Sequence, residues 1–148
     1  MYYSPRYKVG ESINDRFLVG DFKEGGMGEV YLCFDKKIKI PCVLKTFKKG
    51  SSLNYRIAQD FEGEVDKWIR LGQHPNIVTC YFMEYYENLP FMCLEWVDNF
   101  SYDGADLRTL LRYGPLSLRK TIQFSIDICQ GLMHAQRKVN GLIHCDLK

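Results

Sequence analysis

The sequence predicts an α+β fold in two lobes: a small antiparallel β-rich lobe carrying one helix, then a helical lobe. Three observations predict it. Strand-length apolar runs separated by turn residues fill positions 17 to 47, a helical period runs from Tyr55 to Leu71, and after Asp98 only helical periods follow. With 148 residues, 46% hydrophobic and 26% charged, the chain can bury one modest core and has no compositional sign of wholesale disorder.

Residues 1–15, with Pro5 and Gly10 among scattered polar groups, are expected to form a loosely held lead-in. The first lobe is expected over 16–97, and the linker with the start of the second over 98–148. Phe17 to Phe22 and Glu29 to Asp35 read as strands on either side of Lys23-Glu24-Gly25-Gly26-Met27-Gly28. Glycines there let a turn lie close over a ligand and aim N–H groups at it, phosphate being the obvious candidate. They would serve an unliganded hairpin equally well. Lys36-Lys37-Ile38-Lys39 turns the chain into a third strand, Ile40 to Phe47, which completes a meander. Within that strand's apolar run stands Lys45. Alone it reads as a snorkelling edge residue. Beside a glycine phosphate cradle it reads as a fixed ammonium that holds a triphosphate's charge in place.

In the helix from Tyr55 to Leu71, Phe61, Val65, Trp68 and Ile69 gather on one face, with Glu64 at its margin and Glu62 at the other. A lysine on a covered strand needs a counter-charge, so either glutamate is a possible partner for Lys45. Gly63 weakens this helix by about 1 kcal/mol relative to alanine. His74-Pro75-Asn76 makes a turn, with His74 in a structural role. Two further strands, Ile77 to Glu84 and Pro90 to Val97, are linked by Tyr85 to Leu89. Composition then changes at a lobe boundary, and a cleft between two such lobes is a natural home for an adenine ring. Asp106 to Tyr113 reads as a short helix stopped by Gly114-Pro115. Ser117 caps a longer one in which Leu118, Ile122, Ile126, Cys129, Leu132 and Met133 recur at helical spacing, the pattern of a core helix.

Several function classes are excluded or disfavoured. A net charge of +2 with dispersed lysines lacks the concentrated basic face of a nucleic-acid binder. The six cysteines, 33, 42, 80, 93, 129 and 145, contain no C-x-x-C pair and sit in mostly apolar segments, so they are expected to be free thiols in a reducing compartment, with no metal site. No signal-peptide run or membrane-length window is present, and a cytoplasmic location is expected.

The segment Leu142-Ile143-His144-Cys145-Asp146-Leu147-Lys148 resembles the H-R-D-L-K catalytic loop of protein kinases. Gly25, Gly28 and Val30, then Lys45, then Glu95 to Val97 precede it in that family's order. The resemblance runs from about Arg16 to Lys148. The wording around Gly26, His74 and Asp146 is most similar to bacterial, Hanks-type serine/threonine kinases, and lysine at 148 favours that class over tyrosine kinases. It implies a protein-kinase-like bilobal fold with a complete antiparallel β N-lobe, one helix and the first helices of an incomplete helical C-lobe. It implies ATP with Mg2+ and a protein substrate phosphorylated on Ser or Thr. Lys23, Glu24, Gly25, Gly26, Met27 and Gly28 would cover the phosphates, and Val30 would pack on adenine. Lys45 would hold the α- and β-phosphates and pair with Glu64 when the helix swings in. Leu94 looks like the gatekeeper, with Glu95 and Val97 offering backbone groups to the adenine edge. Asp146 would orient or deprotonate the substrate hydroxyl, and Lys148 would neutralise the transferring phosphoryl group.

Four departures bear on that implication. Lys23 replaces the first glycine of the cradle, and Glu64 lies one residue farther from His74 than usual, which leaves Glu62 as a rival. Cys145 replaces the arginine that receives a phosphorylated activation loop, and 98–105 is long. The magnesium ligands of the family would fall beyond Lys148. The 148 residues alone are therefore expected to turn over poorly, and the helix after Ser117 to lack partners for its apolar face. A catalytically inactive pseudokinase or a fragment acting as a binding module is the alternative.

Overall fold

The computed structural model describes residues 4–24, 28–48, 55–97 and 106–144, with the side chains of the first helix from Ala58 onward. The elements are β1 (Ser12–Ile13), β2 (Phe17–Glu24), β3 (Gly28–Asp35), β4 (Ile40–Phe47), α1 (Tyr55–Leu71), β5 (Cys80–Tyr86), β6 (Leu89–Glu95), α2 (Leu107–Leu111) and α3 (Leu118–Lys138). By its contacts the chain divides into two compact units, residues 1–69 with 79–96, and residues 70–78 with 97–148.

The first unit is an antiparallel six-stranded sheet in the order β1-β2-β3-β4-β6-β5, with the expected meander at β2, β3 and β4. Alternation along the strands divides the apolar side chains between two cores. Phe17, Val19, Tyr31, Cys33, Cys42, Leu44, Phe91 and Cys93 fill one with Ile13 and Tyr86. On the other face Val43, Met92 and Leu94 meet Phe61, Val65 and Trp68 of α1. At about 1.5–3 kcal/mol for each large side chain taken fully out of water, these cores dominate the unit's stability. The exposed ion pair Lys48–Glu24, 2.6 Å, adds at most about 1 kcal/mol.

β2 carries a bulge between Val19 and Asp21, so its alternation changes phase at Gly20. Val19 faces the first core, yet so does Phe22, and Lys23 falls opposite Val30 on the other face.

Three expectations are corrected in this unit. The lead-in is tied down. Ile13 is 0% exposed, the Gly10 amide donates to Val19 O at 2.8 Å, and the Tyr7 ring packs edge-on against Tyr31 with centroids 5.9 Å apart. The fourth and fifth strands of the reading, here β5 and β6, are Cys80–Tyr86 and Leu89–Glu95, because the connection is only Glu87-Asn88, both at positive φ (50° and 61°) in a two-residue hairpin turn. Residues 77–79 stay outside the ladder. Lys45, expected on a covered strand, is exposed.

The turn from β3 to β4 is built on Asp35, whose buried carboxylate accepts from the Lys37 and Ile38 amides at 2.8 and 3.3 Å. Arg16 holds the same carboxylate through Nε (3.0 Å) and Nη2 (2.7 Å), while its guanidinium lies 4.6 Å from the Phe17 ring centre and 5.0 Å from that of Phe82. Burial pushes the Asp35 carboxyl up, but Arg16 and the two amides together bring it below the ordinary carboxylate value. Asp35→Asn is therefore expected to destabilise the protein by about 1–3 kcal/mol at pH 7 by stranding the guanidinium. A carboxyl lowered by folding contributes in full above its unfolded value of about 3.9 and loses that contribution as pH falls through the folded value. Urea unfolding of both proteins at pH 7 and pH 3 checks this: the gap should shrink in acid, and a gap that is the same at both pH values rejects it.

In the second unit Asp106 caps α2, accepting from the Thr109 amide at 2.6 Å, and Ser117 caps α3, accepting from Lys120 at 3.3 Å, as its position in the sequence predicts. The 70–78 turn lies on one face of α3. Gly131 is so close to it that a Cβ would stand 3.0 Å from Asn76 O, and the His74 and His134 rings lie 4.5 Å apart, tilted by 34°. His134 Nε2 donates to Leu71 O at 2.8 Å, and His74 Nδ1 accepts from the Asn76 amide, the structural role expected of that histidine. Among the described residues α3 is not packed as a core helix, and its apolar face is largely uncovered, as expected of the helix after Ser117. Only Gly131 and Ala135 are buried, while Leu118, Ile122, Ile126 and Met133 are between 44% and 76% exposed among the described residues.

Candidate nucleotide site

The bulge in β2 brings Lys23 into a row that crosses five strands, Lys23 opposite Val30, Val30 opposite Lys45, Lys45 opposite Met92 and Met92 opposite Met83. All of these residues project on the face that α1 packs against, as the 4.9 Å approach of the Phe47 and Phe61 rings shows. Two cations and a half-buried valine therefore share one line, at the end of the sheet where the chain enters and leaves the glycine turn. Gly25, Gly26 and Met27 lie outside the described residues, as do Asp146 and Lys148.

Gly28 begins β3 pressed against β4. A Cβ there would fall well inside contact distance of Thr46 O. Thr46 cannot yield easily, because it is buried and its hydroxyl donates to Pro90 O at 2.7 Å. Gly28→Ala is expected to cost about 1–3 kcal/mol through this overlap. Thermal unfolding reads it directly, and an unshifted midpoint would mean that the start of β3 is not held at this spacing.

Lys45 is in no ion pair among the described residues, and Glu64 on α1 is likewise exposed. Glu62 accepts a hydrogen bond from the Tyr85 hydroxyl on the edge strand β5. Of the two rival carboxylates, Glu62 is thus engaged away from the row. Glu24, at the end of β2, is held by Lys48 just past β4.

Leu94 is 9% exposed at the edge of the α1-side core. The next residue is doubly tied to Thr79: the Glu95 amide donates to Thr79 O at 2.8 Å, and Glu95 Oε2 accepts from the Thr79 amide at 3.0 Å. The Glu95 amide is thus already taken by Thr79. Val97 belongs to the second unit and is 49% exposed. His144, also in the second unit, is exposed.

Sequence reasoning passed over Thr46 and Tyr85, and it passed over Glu29 and Tyr31, which share the strand phase of buried Cys33. A glutamate in a core-facing phase was a signal available in the sequence.

A family model described as the protein kinase domain matches residues 19–148, and the chain belongs to the protein kinase family. It is similar to Aurora kinase B of Danio rerio, 26% identical over 137 residues covering 93% of this chain and 41% of the relative. It is similar too to the serine/threonine-protein kinases Pkn1 of Myxococcus xanthus (28% over 140 residues, 95% of this chain and 19% of the relative) and PrkC of Bacillus subtilis (24% over 142, 95% and 21%). Among solved structures, the kinase domain of Mycobacterium tuberculosis PknI superposes with a TM-score of 0.73 at 19% identity, covering 96% of this chain and 56% of that one. The fold is accordingly the kinase N-lobe with the first helices of the C-lobe. The chain spans less than half the length of these curated relatives and about half of the solved domain.

Proposed function

We propose that this chain carries the nucleotide-binding part of a serine/threonine protein kinase that transfers the γ-phosphoryl group of ATP to hydroxyls of a protein substrate. The observation that carries the proposal is the row Lys23, Val30 and Lys45, lying beside a strand start too tight for any residue but glycine. Backbone amides of Lys23 to Gly28 cover the phosphates, and Val30 packs against adenine. Lys45 holds the α- and β-phosphates, an exposed ammonium with no other ion pair among the described residues to compete for it. Glu64 is its counter-charge when α1 moves in, since Glu62 is held by Tyr85. Leu94 gates the back of the adenine pocket, and the Glu95 carbonyl and the Val97 backbone meet the ring's edge. Asp146 orients or deprotonates the substrate hydroxyl, and Lys148 neutralises the phosphoryl group in flight.

Magnesium, when it accompanies ATP, neutralises phosphate charge. No cluster of three His, Cys, Asp or Glu side chains among the described residues would hold it, so no step of this proposal runs through a metal ligand of the chain. No helix among the described residues is long and apolar enough to cross a membrane, and the proposed place of action is the cytoplasm. The test is transfer of γ-labelled phosphate to a protein substrate by the natural gene product, followed by phosphoamino-acid analysis. Labelled phosphoserine or phosphothreonine is expected. ATP binding without any transfer would make the protein a pseudokinase.

A further inference from the structure

Two carboxylates of β3 lie in the first core. Asp35, at the far end, is explained by Arg16 and the turn it builds. Glu29, one residue after Gly28, is 0% exposed, and the Tyr31 hydroxyl donates to it. That hydroxyl in turn accepts from the backbone amides of Arg6 at 3.1 Å and Tyr7 at 3.3 Å, which fills its complement of one donor and two acceptors. Burial, and then the bond to Glu29, push the Tyr31 phenol well above its ordinary pKa, so the donor stays protonated. A valine or threonine at 29 would fill the site without desolvating a carboxylate. A polar network that is satisfied throughout instead fixes one arrangement of the groups it joins. What it fixes here is the backbone on which Gly28 and Val30 present themselves to the opposite face.

We propose that Tyr31 and Glu29 are positioning residues for the nucleotide: through the phenol, the backbone of Arg6 and Tyr7 holds the first residues of β3, and with them Gly28 and Val30, in register with the ligand. The inference rests on the nucleotide-binding reading above. It makes the segment before β1 part of the site's rigidity without any contact to the ligand.

The test compares wild type with Tyr31→Phe, which keeps the ring and removes all three hydrogen bonds, and with Glu29→Gln, which keeps an oxygen for the phenol. Hydrogen exchange over residues 4–10 and 28–34 is followed by mass spectrometry, and Mg-ADP affinity and thermal midpoint are measured on the same samples. Tyr31→Phe is expected to speed exchange in both segments together and to raise the Kd about tenfold, the equivalent of one such hydrogen bond, with Glu29→Gln within about threefold of wild type. If Tyr31→Phe does not fold, Glu29→Ala carries the same expectation. A lowered midpoint with unchanged affinity, or exchange over 28–34 that does not follow 4–10, overturns the inference. A wild-type protein with no affinity for nucleotide overturns the reading and the inference together. Wild-type affinity matched by Tyr31→Phe overturns the inference alone.

Discussion

Lys45→Met is expected to lower phosphotransfer by about 10²–10³-fold, the scale seen when one preorganised donor to developing charge is removed. It should also raise the Kd for ATP, while the unfolding midpoint stays near wild type. That separation follows from where the residue stands. Lys45 is exposed and in no ion pair among the described residues, and substitutions of that kind usually change stability by no more than about 0.5 kcal/mol. Lys45→Arg keeps the charge but replaces a compact ammonium with a planar fork, so part of the activity should return. Steady-state kinetics at varied ATP, with thermal unfolding of the same samples, checks all three expectations. Wild-type rates in Lys45→Met would remove the lysine from the site.

Asp146→Asn should act on a different quantity. A side chain that orients or deprotonates the attacking hydroxyl contributes about 10²–10⁴-fold to kcat and little to holding ATP. The variant is expected to bind nucleotide as wild type does and to fail in transfer. Loss of kcat with an unchanged KM for ATP is the signature of a group that works only in the transition state. A parallel rise in KM would assign Asp146 to ground-state binding instead.

The sheet was legible in the sequence because strand runs and turn residues reported the same boundaries. The meander from Phe17 to Phe47 and the helix Tyr55–Leu71 stand where period and punctuation put them. From the sequence the β5–β6 turn reads as a longer loop, because Tyr85 and Leu89 carry no strand boundary of their own. Only the left-handed backbone of Glu87 and Asn88 shows how short it is. Lys45 and Glu64 were legible as residue types, but their separation was not, since a helix's distance from a sheet depends on packing that no local pattern encodes. What sets Glu62 apart from Glu64 is its bond from Tyr85, a contact across 23 residues of sequence. Glu29 was the residue most open to being found, a charge in a buried phase of β3.

The bulge at Gly20 has a consequence for how this stretch can vary in length. The residues before and after it in β2 stand opposite successive residues of β3, and Gly20 is the one extra position. Deleting a single residue between Val19 and Phe22 would take out the extra position and leave a regular ladder, with Phe22 still in the core and Lys23 still opposite Val30, whereas deleting two would exchange the faces, sending Phe22 out and Lys23 into the hydrophobic core. The bulge is thus a place where β2 can lose one residue without turning a core side chain out to solvent, and paired deletions here should be selected against far more strongly than single ones.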